Sequence, residues 1–226
     1  MQITEVSVVG VRCAVIALGH RRSPLRFVLV PTIHIGHPDF YRRVTERIAT
    51  CDLVLAEQYD GPSTTGLAAV LASRLTGQRL GARLVHQDID YRALGVPTEF
   101  PDGFEESRRY DRVPWYGWFE VAALAAWQAA VMALGGREWL MRQNFEVSDD
   151  SDVRLRSAVL TRWLLHERDE LLVEAVERVH AARAGEPIEV AVVFGAAHMP
   201  AVVRALTGPL GYRPQRGAEW LHAIHF

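Results

Sequence analysis

The sequence predicts an α/β fold: a mixed sheet with a parallel core, helices on its faces and a helical insertion in the middle. Three observations carry this. Apolar runs rich in valine, isoleucine and leucine alternate with turn signals through the first third of the chain. Apolar residues at helical spacing dominate the second half of the middle region. A strand–turn–helix unit then returns near the C-terminus, the pattern that builds parallel sheets. The 226 residues suffice for one domain with a substantial core, in which 96–150 form a loop-plus-helix insertion.

Taken in order, Ile3–Val11 and Arg12–Leu18 read as strands, and the polar turn GHRRSP leads into the strand around RFVLV. A helix begins at Pro38, where proline suits the first turn. CDLVLAEQ is the next apolar strand and closes on Glu57. GPSTTG is a loop, Leu67–Leu75 a short helix, and GARLVHQDID a strand ending near Asp88. The prolines and mixed charge of Val96 to Val113 predict a loop, and Pro114 to Phe145 reads as helical. The longest periodic segment places Val159, Trp163, Leu164, Leu171, Leu172 and Val176 near helical spacing. Ser151 or Asp152 can cap its start and Gly185 ends it. IEVAVVFGAAHMPAVVRAL is a buried strand, a turn and a helix, and GAEWLHAIHF alternates as a closing antiparallel strand.

Composition removes several function classes. The formal charge is −2, which offers no electrostatic basis for nucleic-acid binding. All basic residues are arginine, so Schiff-base, P-loop and serine–lysine chemistry are absent. Neither GxSxG nor GxGxxG occurs. Cys13 and Cys51 lack metal-type spacing and read as free buried thiols. MQITEVSVVG reads as a first strand rather than a signal peptide. Phe119 to Leu134 is short, alanine-rich and interrupted by Glu120 and Gln128, so it predicts a buried or interface helix rather than a membrane span. A cytoplasmic location is expected. The aromatic cluster Trp115, Tyr116, Trp118 and Phe119 predicts core packing, with a pocket lid or an oligomer contact, in the simplest case a homodimer, as the alternative.

One internal echo stands out. FVLVPTIHIGHP and AVVFGAAHMP share a plan of apolar strand, tight turn, histidine and then a proline opening a helix. In parallel sheets, ligands gather outside the carboxyl ends of the strands. His34, Glu57, Asp88 and His198 each fall within a few residues of such an end. Two imidazoles and a carboxylate suit a divalent transition metal, which acidifies its bound water. Without metal, Glu57 and a histidine can share acid–base work. A carboxylate closing a buried strand is costly to leave unpaired, whereas Asp88 can simply cap a turn and His37 can simply flank the helix start. Arg168, in HERDE, lies either on a solvated helix face or inward, holding a substrate anion or developing oxyanion charge; Glu174 and Arg178 are spaced to pair on that face. The HExxH zinc pattern fails because position 170 is Glu.

At these residues the sequence resembles the TraB/PrgY/GumN family, which is related to the Tiki proteases and to the wider erythromycin-esterase-like and ChaN-like group. The resemblance rests on PTIH (Pro31–His34), LVLAE (Glu57), HQDID (Asp88), ERDELL (Arg168–Asp169) and GAAH (Gly195–His198), in that order along nearly the whole chain. Pro31 stands where the pattern has glycine, and Ile89 follows Asp88 where it has arginine; proline also removes a backbone donor. The resemblance implies an erythromycin-esterase/ChaN-like fold and a metal-dependent hydrolase of an amide, peptide or ester bond, with manganese, cobalt or zinc. On that expectation His34, Glu57 and His198 are metal ligands or acid–base groups, Arg168 stabilises an oxyanion or binds substrate, and Asp88, with His37 behind it, orients a ligand. Substrates are small molecules or peptides. The alternatives are a non-enzymatic module binding haem, peptide or a small molecule, and a metal-free hydrolase.

Overall fold

The computed structural model describes residues 1–57, 85–87, 89–101, 146–153, 161–215 and 217–225, with helical positions at 123, 126, 127 and 130. The first three strands form an antiparallel meander: β1 (Gln2–Ser7), β2 (Gly10–His20) and β3 (Ser23–Thr32). A two-residue strand, β4 (Ile35–Gly36), leads into helix α1 (Pro38–Ile48), with Pro38 in the first turn as expected. Then follow β5 (Leu53–Ala56), β6 (Val85–His86), β7 (Thr98–Glu99) and β8 (Val147–Ser148). A π-helical turn, Arg162–His166, runs into α2 (Glu167–Arg183). The chain closes with β9 (Glu189–Gly195), a single 3₁₀ turn, α3 (Met199–Thr207), β10 (Arg213–Pro214) and β11 (Glu219–His225).

The strand order is β7-β5-β9-β3-β2-β1-β8. β3, β9, β5 and β7 are mutually parallel, and β1, β2, β8 and β11 are antiparallel to their neighbours. This is the mixed sheet with a parallel core. β2 joins its two halves: residues from Gly10 to Val15 pair with β11, and Ile16 to His20 pair with β3. The alternation of β3, β5 and β9 sorts two cores. Phe27, Leu29, Leu53, Leu55, Val190 and Val192 pack with Leu172, Val176 and Val203 from α2 and α3. Val28, Val30, Val54, Ala191 and Val193 pack with Phe40, Val44 and Ile48 from α1. Period-2 strands buried on both faces read as continuous apolar runs for this reason.

Two sequence expectations change. GARLVHQDID contributes only Val85–His86 among the described residues, antiparallel to β4 in a separate two-stranded sheet rather than in the parallel core. Thr98–Glu99, within the expected loop, is an edge strand parallel to β5. The four described positions of the alanine-rich segment, Ala123, Ala126, Trp127 and Ala130, are helical and exposed; their i, i+3, i+4, i+7 spacing marks one outward stripe, and the rest of the segment lies outside the described residues. Among the described residues no helix is long and apolar enough to cross a membrane. Both cysteines are free and buried, and burial pushes the Cys13 thiol up to about 12.

Candidate functional site

The register of the parallel core sets where the polar residues meet. Thr32 pairs with Gly195, and Ala56 pairs with Val193, so β3, β9 and β5 end on a common rim. Glu57 extends β5 by one rung, donating its backbone N–H to Val193 O at 2.9 Å. His34 follows Thr32 by two residues and His198 follows Gly195 by three. The two halves of the sequence echo are therefore neighbouring strands and turns.

Glu57 is the buried centre, with its side chain 2% exposed. Oε1 meets Arg168 Nη2 at 2.7 Å, and Oε2 accepts the Gly195 backbone N–H at 2.8 Å. Burial alone pushes this carboxyl up. The Arg168 guanidinium, His198, His34 and the Gly195 amide together outweigh it and hold Glu57 down at about 2. Glu57 is thus a fixed anion across the physiological range rather than a proton shuttle. Of the two positions the sequence allowed Arg168, the structure takes the inward one. Arg178 also departs from the expected helix-face pair and reaches Glu99 on β7 at 3.2 Å.

His198 is nearly as buried, and its Nδ1 lies 2.7 Å from Asp169 Oδ1. In the neutral tautomer that donates from Nδ1 to Asp169, the lone pair lies on Nε2. Nε2 faces Glu57 Oε1 at 4.0 Å. Arg168 and Asp169 are consecutive on α2, immediately after the π-helical turn in which Glu167 N–H bonds Arg162 O. Such turns shift the phase of a helix and recur at functional sites. Here the two adjacent side chains reach one buried cluster, Arg168 on Glu57 and Asp169 on His198.

His34 lies on the exposed mouth of the rim, close enough to add to the field on Glu57. Its loop is clasped on three sides. Tyr41 OH donates to Ile33 O at 2.7 Å, Gln87 N–H donates to His34 O at 2.8 Å, and His37 N–H donates to Ala223 O at 2.7 Å. His37 packs toward β11 and away from this cluster, against His225. Pro31 sits in β3 opposite Phe194, beyond the last rung with β2 at Leu29. Its missing N–H therefore costs the β2 ladder nothing. Asp88 and the aromatic cluster Trp115–Phe119 lie outside the described residues.

The residues fit the expected metal set poorly. Both Glu57 oxygens are engaged, one by a guanidinium, and among the described residues no group of three or more His, Cys, Asp or Glu is arranged to hold a metal ion. The 4.0 Å from Nε2 to Oε1 exceeds the roughly 3.4 Å expected for two ligands about 2.1 Å from a tetrahedral ion. It matches two acceptors sharing one water at about 2.8 Å each, with an angle at the water of about 90°. Asp169 also borders a cleft of about 280 Å³ whose walls include Asp150, Asp152, His166, Ala197 and Arg204.

Comparisons with family models, with curated proteins and with solved structures find no match. Asp169, which the sequence offers only as part of the ERDELL motif and with no role of its own, is the partner of His198. The available signal was a second charged residue beside Arg168 on a helix that must already turn one charge inward.

Proposed function

We propose that the chain is a hydrolase of an amide, peptide or ester bond in which His198, oriented by Asp169, is the base. The contiguous run Asp169–His198–Glu57–Arg168, buried at Glu57 and His198, carries this reading. Glu57 and His198 are buried and Arg168 and Asp169 partly so, and withdrawing these groups from water is offset by the Glu57–Arg168 ion pair and the Asp169–His198 hydrogen bond. A water seated between Nε2 and Oε1 donates to both, which turns its own lone pairs outward toward a substrate carbonyl. In the reaction its oxygen bonds to the carbonyl carbon and its proton passes to Nε2. Asp169 stabilises the imidazolium formed. When the tetrahedral intermediate collapses, the same proton goes to the departing nitrogen or oxygen, leaving an acid and an amine or alcohol. Arg168 keeps Glu57 anionic, and His34 meets substrate at the mouth. The order of motifs similar to the TraB/PrgY/GumN family supports hydrolysis of such a bond, though the resemblance implies a metal-dependent form.

A panel of p-nitrophenyl esters and quenched fluorescent peptides, with and without a strong chelator, tests the reading. His198→Ala and Asp169→Asn are expected to lower kcat by about 10²–10⁴ while melting stays cooperative. Unchanged turnover in His198→Ala sinks the proposal. Activity lost to chelation and restored by manganese, cobalt or zinc replaces it with the metal-dependent form.

A further inference from the structure

Three histidines away from the rim form a second cluster. His37 and His225 rings meet edge to face, with centroids 5.6 Å apart, and His225 stacks on His222 at 5.2 Å and 15°. His37 Nδ1 is buried with no hydrogen-bond partner. His37 is also the residue preceding α1.

The surrounding charges are paired with one another. Across the ladder from β11, His222 pairs with Arg12 on β2, and Arg12 is already neutralised by Glu5 of β1 at 2.7 Å. From α1, Arg43 reaches Glu219 at 3.0 Å, and Asp39 and Glu46 are taken by Arg42. Among the described residues, Glu5, Glu219, Asp39 and Glu46 each have an arginine partner, and no ion pair to the three imidazoles is found. Burial, His225 and the two arginines Arg12 and Arg43 hold His222 below the ordinary histidine range.

This cluster sits on one of the three clasps of the His34 loop. His37 N–H bonds Ala223 O between His222 and His225, and the adjoining Gly36 approaches so closely that a Cβ there would lie 3.0 Å from the same oxygen. We propose that His37, His222 and His225 form a pH-sensitive latch: neutral, they hold β11 against the start of α1, and protonated, they repel and release the His34 loop. The inference goes beyond the hydrolase reading, and its readout is backbone motion, so neither stands or falls with the other.

Amide exchange and imidazole titration by NMR on the full chain test it. Corrected for intrinsic chemistry, opening at the His37 amide should rise about fivefold or more from about pH 7.5 to 5.5. In His222→Gln/His225→Gln the rise should fall below about twofold on the same scale. His225→Phe, which keeps the stacked ring without its charge, should also blunt the rise, and it provides a second test should the double variant fold poorly. Opening that does not change with pH in the wild type, or a rise retained in full by either folded variant, overturns the latch.

Discussion

Gly195 donates its backbone N–H to Glu57 Oε2 at 2.8 Å, tying the ends of β9 and β5 together at the rim. Its missing side chain matters as much as its amide. A Cβ at Gly195 would lie 3.4 Å from that same oxygen and 3.6 Å from His198 Cδ2. Alanine just fits, whereas the branches of valine must displace the carboxylate or the imidazole. Gly195→Ala should therefore cost less than about 1 kcal/mol in denaturant unfolding, and Gly195→Val more than about 2 kcal/mol. Equal costs for the two variants would show that the side-chain space at Gly195 is not the constraint.

The Glu57–Arg168 pair predicts an acid limb in stability. Glu57 is held at about 2 in the folded chain against 4.5 when free. A depressed carboxyl contributes stability that is fully present above its unfolded pKa and is lost as pH falls through the folded one. The loss should thus run from about pH 5 to 2 and amount to about 3 kcal/mol. Unfolding free energies measured across that window should flatten in Glu57→Gln. Arg168→Met, which strands a buried carboxylate, should cost about 3–5 kcal/mol at neutral pH, and Glu57→Gln/Arg168→Met should recover part of it.

Gly10 marks the tightest backbone approach in the antiparallel half. It opens β2 at φ +143, and a Cβ there would fall 1.9 Å from Ile224 O. Both the conformation and the contact exclude a side chain, and neither strand can retreat without losing its ladder. Gly10→Ala should cost about 2–3 kcal/mol. A thermal melt shifted by less than about 2 °C would place the strain elsewhere.

The parallel core was legible because β3, β5 and β9 are buried on both faces and so announce themselves as unbroken apolar runs. The echo between PTIH and GAAH was legible for the same reason: neighbouring parallel strands end alike. What spacing could not supply was the inequality of the two histidines. His198 is enclosed because α2 crosses its turn and presents Asp169, whereas no such helix closes over His34 among the described residues. The partner of Arg168 was equally hidden, since the phase of α2 depends on a π-helical turn that has no local signature in RWLLH. Val85–His86 joined β4 instead of the main sheet because β9 and β7 already occupy both edges of β5.

Pro31 provides the sharpest test of how the first histidine turn tolerates its departure from glycine. Proline in a central strand normally removes a ladder bond. Pro31 escapes that cost against β2, whose pairing with β3 stops at Leu29, and its ring is buried at the end of the strand. The loop beyond it is positioned by Tyr41, Gln87 and Ala223 rather than by residue 31. Pro31→Gly should consequently leave the backbone resonances of residues 33–37 in place while lowering stability by about 1 kcal/mol, because glycine frees the unfolded chain. The matching drop in melting temperature is about 2–4 °C for a chain of this size. A gain in stability, or shifted resonances at His34, would mean that the proline strains the turn it precedes.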